Sequence, residues 1–165
     1  ILVIGGSLGA KSINEAVIKN WEKIISDEKI KLFWGTGKDN FEEDTYRMKN
    51  FGNSVVKPYF NNVADIMSAS DLVICRAGAS TISELIQLEK PSILIPYDFV
   101  GQKENADVLE YVNGAKIFTN ETADKAVEEA LNLVKQDEML EFMKENIEKL
   151  KKGNASDTII EEMGL

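Results

Sequence analysis

A glycine-bearing loop near the start of the chain carries the residue types that suit phosphate binding. It reads Gly-Gly-Ser-Leu-Gly-Ala over residues 5–10, between a short apolar run and a helical segment that begins near Ser12. Glycines allow close approach to the backbone, and the free N–H groups at a helix N-terminus attract anions. The residues predicted to contact a phosphate are Gly6, Ser7, Leu8 and Gly9. Ser12 and Glu15 fit a capping box at the start of that helix. The alternative to phosphate binding is a tight turn that only joins strand to helix.

A second segment of this kind follows the apolar run 71–75, where Arg76 leads into a stretch of small residues. Arginine is scarce in this chain, since only Arg47 and Arg76 occur among nineteen cationic residues. Arg76 is therefore a candidate anion ligand, although a structural ion pair is an equal alternative. Backbone donors at the start of the following helix would face the same ligand. These donors belong to Gly78, Ala79, Ser80 and Thr81. Two helix starts of this kind would stabilise a diphosphate leaving group without a metal.

Glu84 allows two interpretations. Thr81 and Glu84 have the spacing of a capping box, which spacing alone slightly favours. Alternatively, a carboxylate in the first helical turn would accept hydrogen bonds from both hydroxyls of a ribose. The neighbouring Cys75 is predicted to be a small buried hydrophobic residue, because no base nearby in the sequence could activate it.

Two common nucleotide motifs are absent. Glycines at 5, 6 and 9 do not match the G-x-G-x-x-G fingerprint, and the second strand ends in Trp34-Gly35-Thr36 without the carboxylate that holds a ribose. A Walker A loop needs glycine before its lysine, whereas Ala10 precedes Lys11. The segment 35–38 is predicted to be a turn with a solvated lysine.

Composition narrows the function classes further. The chain has 165 residues, 44% of them hydrophobic, which suffices for one compact domain with a real core. A net charge of −9 argues against sequence-independent binding to nucleic acid or anionic lipid. One cysteine and no histidine exclude an internal disulfide, common zinc sites and a Ser-His-Asp triad, and no metal or cofactor is predicted. No apolar run approaches the roughly 20 residues that span a bilayer. A reducing, cytoplasmic setting is expected.

The elements that must position these residues alternate between strand and helix, which predicts an α/β, Rossmann-like, doubly wound parallel sheet with helices on both faces. Ligands bind such sheets at the carboxyl ends of the strands, where the strand order reverses. The six predicted strands cover residues 1–4, 30–34, 54–57, 72–75, 92–96 and 115–118. Apolar periodicity predicts helices around residues 13–24, 63–67, 82–86, 126–134 and 140–150, with a C-terminus that is helical. Because residues 1–4 are already a strand, we expect residues 1–165 to be one domain excised from a longer protein.

The two loops together resemble the donor half of the MurG family, the undecaprenyl-diphospho-muramoylpentapeptide N-acetylglucosaminyltransferases of peptidoglycan synthesis. The resemblance covers essentially the whole chain and is most specific over residues 71–84. It implies the C-terminal half of a GT-B, UDP-N-acetylglucosamine-dependent hexosyltransferase that inverts configuration. An N-terminal domain would bind the lipid-linked acceptor and associate with the cytoplasmic face of the membrane. That domain or the cleft would supply the catalytic base, so the fragment alone is expected to be inactive.

The resemblance also implies roles for single residues. Ser7 and its neighbours would contact the diphosphate, and Glu84 would hold the ribose hydroxyls. Phe60 would offer main-chain groups to uracil, with Val63 packed nearby. Gln102 and Asn105 match the Gln-x-x-Asn pair that faces the sugar hydroxyls.

Two positions depart from the family pattern, and other functions remain open. Many members carry His-Gln where this chain has Trp34-Gly35, and His where it has Gly101. One alternative is half of a UDP-N-acetylglucosamine 2-epimerase, which normally uses a histidine that this chain lacks. Others are a non-catalytic nucleotide-sugar-binding subunit and a galactosyltransferase acting on diacylglycerol. A panel of UDP-sugars would separate these alternatives.

Overall fold

The computed structural model describes residues 1–48, 50–97 and 101–151. Its sheet has six parallel strands in the order β3-β2-β1-β4-β5-β6. The strands are β1 (Leu2–Ile4), β2 (Phe33–Gly35), β3 (Val55–Lys57), β4 (Val73–Cys75), β5 (Ser92–Leu94) and β6 (Ala115–Ile117). The predicted doubly wound sheet is confirmed, with each strand shorter than predicted and β2 ending one residue later.

Eight α-helices occur in the described part of the chain. They are α1 (Lys11–Lys19), α2 (Trp21–Ser26), α3 (Phe41–Tyr46), α4 (Val63–Ala69), α5 (Ala79–Gln87), α6 (Gln102–Tyr111), α7 (Ala123–Leu133) and α8 (Asp137–Lys151). The single helix predicted over 13–24 is divided at Asn20, whose side-chain amide donates to the carbonyl of Ala16. Apolar periodicity did not predict α3 and α6, because both helices have few buried apolar side chains. The one buried residue of α3 is Asp44, and α6 buries only Ala106 and Leu109.

Strand residues alternate between two cores, as the pleat of a strand requires. On one face, Val3, Ile74 and Ile93 pack with α1, α2 and α7. On the other face, Leu2, Val73 and Leu94 pack with α4, α5 and α6. Because both faces are covered, the strands are apolar throughout rather than alternating with polar residues.

The predicted break between the last two helices is also confirmed, since α7 ends at Leu133 and α8 begins at Asp137. The predicted helical C-terminus is confirmed as far as Lys151, and residues 152–165 lie outside the described part of the chain. Among the described residues, no helix is both long enough and apolar enough to cross a bilayer.

Candidate functional site

The strand order places the two predicted loops side by side. β1 lies between β2 and β4. After β1 the chain turns toward one face of the sheet, and after β4 it turns toward the other face. The loop after β1 leads into α1, and the loop after β4 leads into α5. The crevice between them is the switch point where ligands bind in sheets of this kind.

A pocket of about 250 Å³ opens at the carboxyl ends of these strands. Six residues that the sequence assigned to donor binding line it, and they come from three separate segments of the chain. These residues are Gly6, Ser7, Phe60, Val63, Thr81 and Glu84. Sequence reasoning did not assign the other four lining residues, which are Ile4, Gly35, Pro58 and Tyr59. Their position at or just after the ends of β1, β2 and β3 was the signal that could have identified them.

The pocket is apolar on one side. A Cβ atom on Gly35 would lie 3.5 Å from both Cγ2 of Ile4 and Cδ2 of Phe60, which is ordinary van der Waals contact. The Phe60 ring is buried and packs edge-on against Phe33, with centroids 6.4 Å apart. This side of the pocket therefore offers flat apolar contacts, whereas Glu84, Thr81 and Ser7 supply the polar groups.

The turn at 35–38 supports the first glycine loop. The Lys38 amide donates to the carbonyl of Ser7 at 3.3 Å, and the Asn40 side-chain amide donates to the carbonyl of Leu8 at 3.0 Å. Leu8 itself is 66% exposed. Gly35 ends β2 and the turn begins at Lys38, which is exposed as predicted and has its Nζ 6.0 Å from the centroid of the Tyr59 ring. The turn fixes the backbone whose N–H groups are the candidate phosphate donors.

The predicted capping box at the start of α1 is wrong. The helix begins at Lys11, with Ala10 in the cap position and no side chain capping it. Ser12 therefore lies inside the first turn, where its hydroxyl donates to Oδ1 of Asn120 at 2.7 Å. Glu15 instead forms a bidentate ion pair with Arg47, at 2.7 and 3.0 Å.

The start of α5 rules out one of the two interpretations of Glu84, the capping box. The helix begins at Ala79, and Gly78 occupies the cap position without a side-chain cap. Thr81 is thus a helical residue, so the capping box that spacing favoured is wrong. Glu84 is exposed and lines the pocket beside Thr81. The backbone N–H groups of Ala79 and Ser80 are left at the helix start, where an anion is stabilised.

Two side chains that were predicted to contact the ligand, those of Arg76 and Gln102, form hydrogen bonds with other residues of the chain. Arg76 is 8% exposed and its guanidinium donates to Ile95, Ser12 and Asn120. Oε1 of Gln102 accepts from the amides of Ala77 and Tyr97, each at 3.2 Å. Arg76 and Gln102 thus bond the loop after β4 to other segments of the chain.

Asn105 acts on the same loop, since its side-chain amide donates to the carbonyl of Ala77 at 3.1 Å. The amide of Ala77 is thus bonded to Gln102 and its carbonyl to Asn105. Gly101 precedes α6 with φ at +66°, a left-handed conformation that explains glycine at this departure from the family pattern. Contact of Gln102 or Asn105 with a sugar stays a prediction.

A buried polar network lies beneath the turn at 35–38. The Asn14 side-chain amide donates to the carbonyl of Thr36 and to Oδ2 of Asp44, both at 2.8 Å. Trp34 Nε1 donates to Oδ1 of Asn14 at 3.2 Å. Burial, reinforced by the nearby Glu15, raises the pKa of Asp44 above its usual 3.8. The network ties α1 and α3 to the end of β2.

Cys75 is buried as predicted, and burial raises the pKa of its thiol to about 12. A nucleophilic thiolate is therefore not formed at neutral pH.

A larger groove of about 550 Å³ lies between α1 and the start of α7. The charged side chains along it are largely paired with one another, as in Glu15 with Arg47 and Lys19 with Asp124. The pocket at the carboxyl ends of the strands is the better candidate, because Ser7, Thr81 and Glu84 line it together with an apolar wall.

Comparison with known proteins shows the family to which the chain belongs. The Glycosyltransferase family 28 C-terminal domain matches residues 1–161. A UDP-N-acetylglucosamine–N-acetylmuramyl-(pentapeptide) pyrophosphoryl-undecaprenol N-acetylglucosamine transferase of Fusobacterium nucleatum is 45% identical over 97% of this chain and 45% of its own length. The enzyme of the same name from Desulforamulus reducens is 33% identical over 97% of this chain and 46% of its own length. The chain therefore spans just under half the length of these relatives.

Solved structures share the fold. The crystal structure of Acinetobacter baumannii MurG matches 97% of this chain and 48% of its own, with a TM-score of 0.72 and 24% identity. The C-terminal CMP-Kdo binding domain of WaaA from the same organism matches 90% of this chain and 86% of its own, with a TM-score of 0.69 and 15% identity. By its sequence match over residues 1–161, the chain belongs to the glycosyltransferase family 28 C-terminal domains.

Proposed function

We propose that this chain is the donor-binding half of an inverting N-acetylglucosaminyltransferase. The donor is UDP-N-acetylglucosamine, and the acceptor is lipid-linked N-acetylmuramoyl-pentapeptide, held by a separate N-terminal domain on the cytoplasmic face of the membrane. The observation that carries the proposal is the pocket in which Ser7, Phe60 and Glu84 converge from three distant segments. The names of the relatives supply the substrates.

The pocket has the parts that a uridine diphosphate needs. Phe60 and Gly35 form an apolar wall for the base, and Glu84 offers an acceptor for the two ribose hydroxyls. In this proposal the diphosphate binds at the starts of α1 and α5, each of which contributes partial positive charge. Such fixed donors would stabilise the departing UDP without a metal.

The transfer step requires more than this half. The acceptor hydroxyl must lose a proton to a general base. We place that base in the N-terminal domain or in the cleft between the two, so the chain alone binds donor and does not transfer the sugar. Measurable transfer to a lipid acceptor by residues 1–165 would contradict this part of the proposal.

The test is a calorimetric and thermal-shift titration with UDP-N-acetylglucosamine, UDP-galactose, UDP, ATP and NAD. A ligand at 100 times its dissociation constant stabilises the fold by about 2.7 kcal/mol. We expect UDP-N-acetylglucosamine to bind, and Glu84→Ala to lose most of that affinity. Glu110→Ala is the matched control, because Glu110 is exposed in the last turn of α6, at the opposite edge of the sheet. Equal responses to UDP, ATP and NAD would reject the uridine pocket.

A further inference from the structure

Arg76 joins three segments of the chain through one guanidinium group. Its Nη1 donates to the carbonyl of Ile95 and to Oδ1 of Asn120, both at 2.8 Å. Its Nη2 donates to the hydroxyl of Ser12 at 3.0 Å. The Ser12 hydroxyl in turn donates to Oδ1 of Asn120 at 2.7 Å, which closes a triangle of three side chains.

The face of the same guanidinium is covered. Its Cζ lies 4.0 Å from the centroid of the Tyr97 ring, within the range of a cation–π contact. The planar fork of an arginine is already organised for several bonds at once, so it holds its partners in a fixed arrangement. Lysine could not reproduce this geometry, because its ammonium is a single point on a flexible stem.

The segments that Arg76 joins include both helix starts of the candidate site. Ser12 lies in the first turn of α1, and Arg76 lies two residues before Gly78, the cap of α5. The first hydrogen-bonded amides of these helices are Asn14, bonded to Ala10, and Ile82, bonded to Gly78. The guanidinium therefore links the first turn of α1 to the residues just before α5, which are distant in the sequence.

We propose that Arg76 is a positioning residue that fixes the distance between the starts of α1 and α5, and so acts on a diphosphate through their backbone N–H groups. The inference rests on the proposed donor binding. It differs from the direct contact that the sequence predicts, because Arg76 acts through its hydrogen bonds with Ser12 and Asn120 and does not touch the diphosphate.

The first experiment compares UDP with uridine, since Arg76 does not line the pocket assigned to the base and ribose. We expect Arg76→Lys and Asn120→Ala to weaken UDP binding by about tenfold, as loss of a charged hydrogen bond does, and to leave uridine affinity nearly unchanged. A merely structural role would weaken both ligands equally. Unchanged or tighter UDP binding by Asn120→Ala would also overturn the proposal, because freeing Arg76 should help a direct contact.

A double-mutant cycle between Arg76→Lys and Asn120→Ala measures whether they act as one unit. We expect the double variant to bind UDP about as weakly as Arg76→Lys alone, and additive losses would contradict the proposal. Asn53→Ala is the matched control for Asn120→Ala. Its amide bonds to the carbonyl of Glu28 at the opposite edge of the sheet, so UDP binding should be unaffected.

A ligand-free measurement separates this inference from the proposed function. Hydrogen exchange at the amides of Asn14 and Ile82 should accelerate together in Asn120→Ala, although the substitution lies in neither helix. Unchanged exchange at Ile82 would overturn the positioning role even if UDP binds. Failure of the unsubstituted chain to bind UDP would reject the proposed function, while the exchange result still decides the role of Arg76.

Discussion

Gly9 and Gly37 lie backbone against backbone, with no room for a side chain on either. Gly9 has φ at +87° and Gly37 has φ at +88°, in the left-handed region that disfavours other residues. A Cβ on Gly9 would overlap the carbonyl oxygen of Thr36, and one on Gly37 would overlap the backbone of Leu8 and Gly9. The turn after β2 is thus the support on which the candidate phosphate loop rests.

Gly37→Ala should disturb both stability and ligand binding. The substitution imposes a left-handed alanine, which costs about 1–2 kcal/mol, and pushes the loop at 5–10 away from its position. We expect a lower melting temperature and a clear loss of UDP affinity, measured by thermal denaturation and calorimetry. Gly52→Ala is the control, since Gly52 has φ at +50° but contacts Ile25 instead of the loop. If both variants kept full UDP affinity, the supporting role would be refuted.

Gly35 controls the room available in the pocket. A Cβ there meets Ile4 and Phe60 at 3.5 Å, so Gly35→Ala should be tolerated in fold and binding. Gly35→Leu would place its longer side chain into the roughly 250 Å³ that the ligand needs. We expect Gly35→Leu to lose affinity for uridine and UDP alike, as measured by calorimetry. Undiminished uridine binding by that variant would place the base elsewhere.

Gln102 offers a test of sugar contact that spares the fold. Because Oε1 accepts from the amides of Ala77 and Tyr97, Gln102→Glu keeps an acceptor for both and removes the side-chain donor. We expect an unchanged melting temperature and a loss of affinity that is larger for UDP-N-acetylglucosamine than for UDP, which the added negative charge weakens as well. Gln102→Ala should lower the affinity for both ligands, since it releases Ala77. Equal affinity of Gln102→Glu and the unsubstituted chain for the nucleotide sugar would leave Gln102 with a supporting role alone.

The raised pKa of Asp44 should make the free energy of unfolding depend on pH, with a contribution that decreases as the pH rises. Burial raises its pKa, so the folded chain holds this proton more tightly than the unfolded chain does. The contribution to stability is complete below the ordinary pKa of 3.8 and is lost as the pH rises through the raised value. A neutral side chain at this position removes that loss.

Asp44→Asn keeps an acceptor for Asn14 and cannot ionise. Its free energy of unfolding relative to the unsubstituted chain should increase as the pH rises from below 3.8 to neutrality, measured by urea denaturation at each pH. Other carboxylates titrate in both proteins and largely cancel in the difference. A pH-independent difference would show that Asp44 titrates normally.

The fold was readable from the sequence because its signals are local. Apolar runs and helical periodicity fix six strands and most helices, and both cores follow from covering the two faces of a parallel sheet. Helix α3 escaped because its buried residue is a polar one, Asp44, whose partner Asn14 lies thirty residues away. Local periodicity carries no information about such a pairing.

The candidate site likewise has a part that local sequence patterns predict and a part that depends on long-range packing. Sequence patterns predicted which loops follow β1 and β4, and therefore that Ser7, Thr81 and Glu84 lie at the carboxyl ends of the strands. The folded structure was needed to show that Gly35 borders the pocket and that Ser12 and Arg76 share Asn120. Local patterns reveal the succession of strands, loops and helices along the chain. The partner of a polar side chain depends instead on which distant segment packing brings within hydrogen-bond reach.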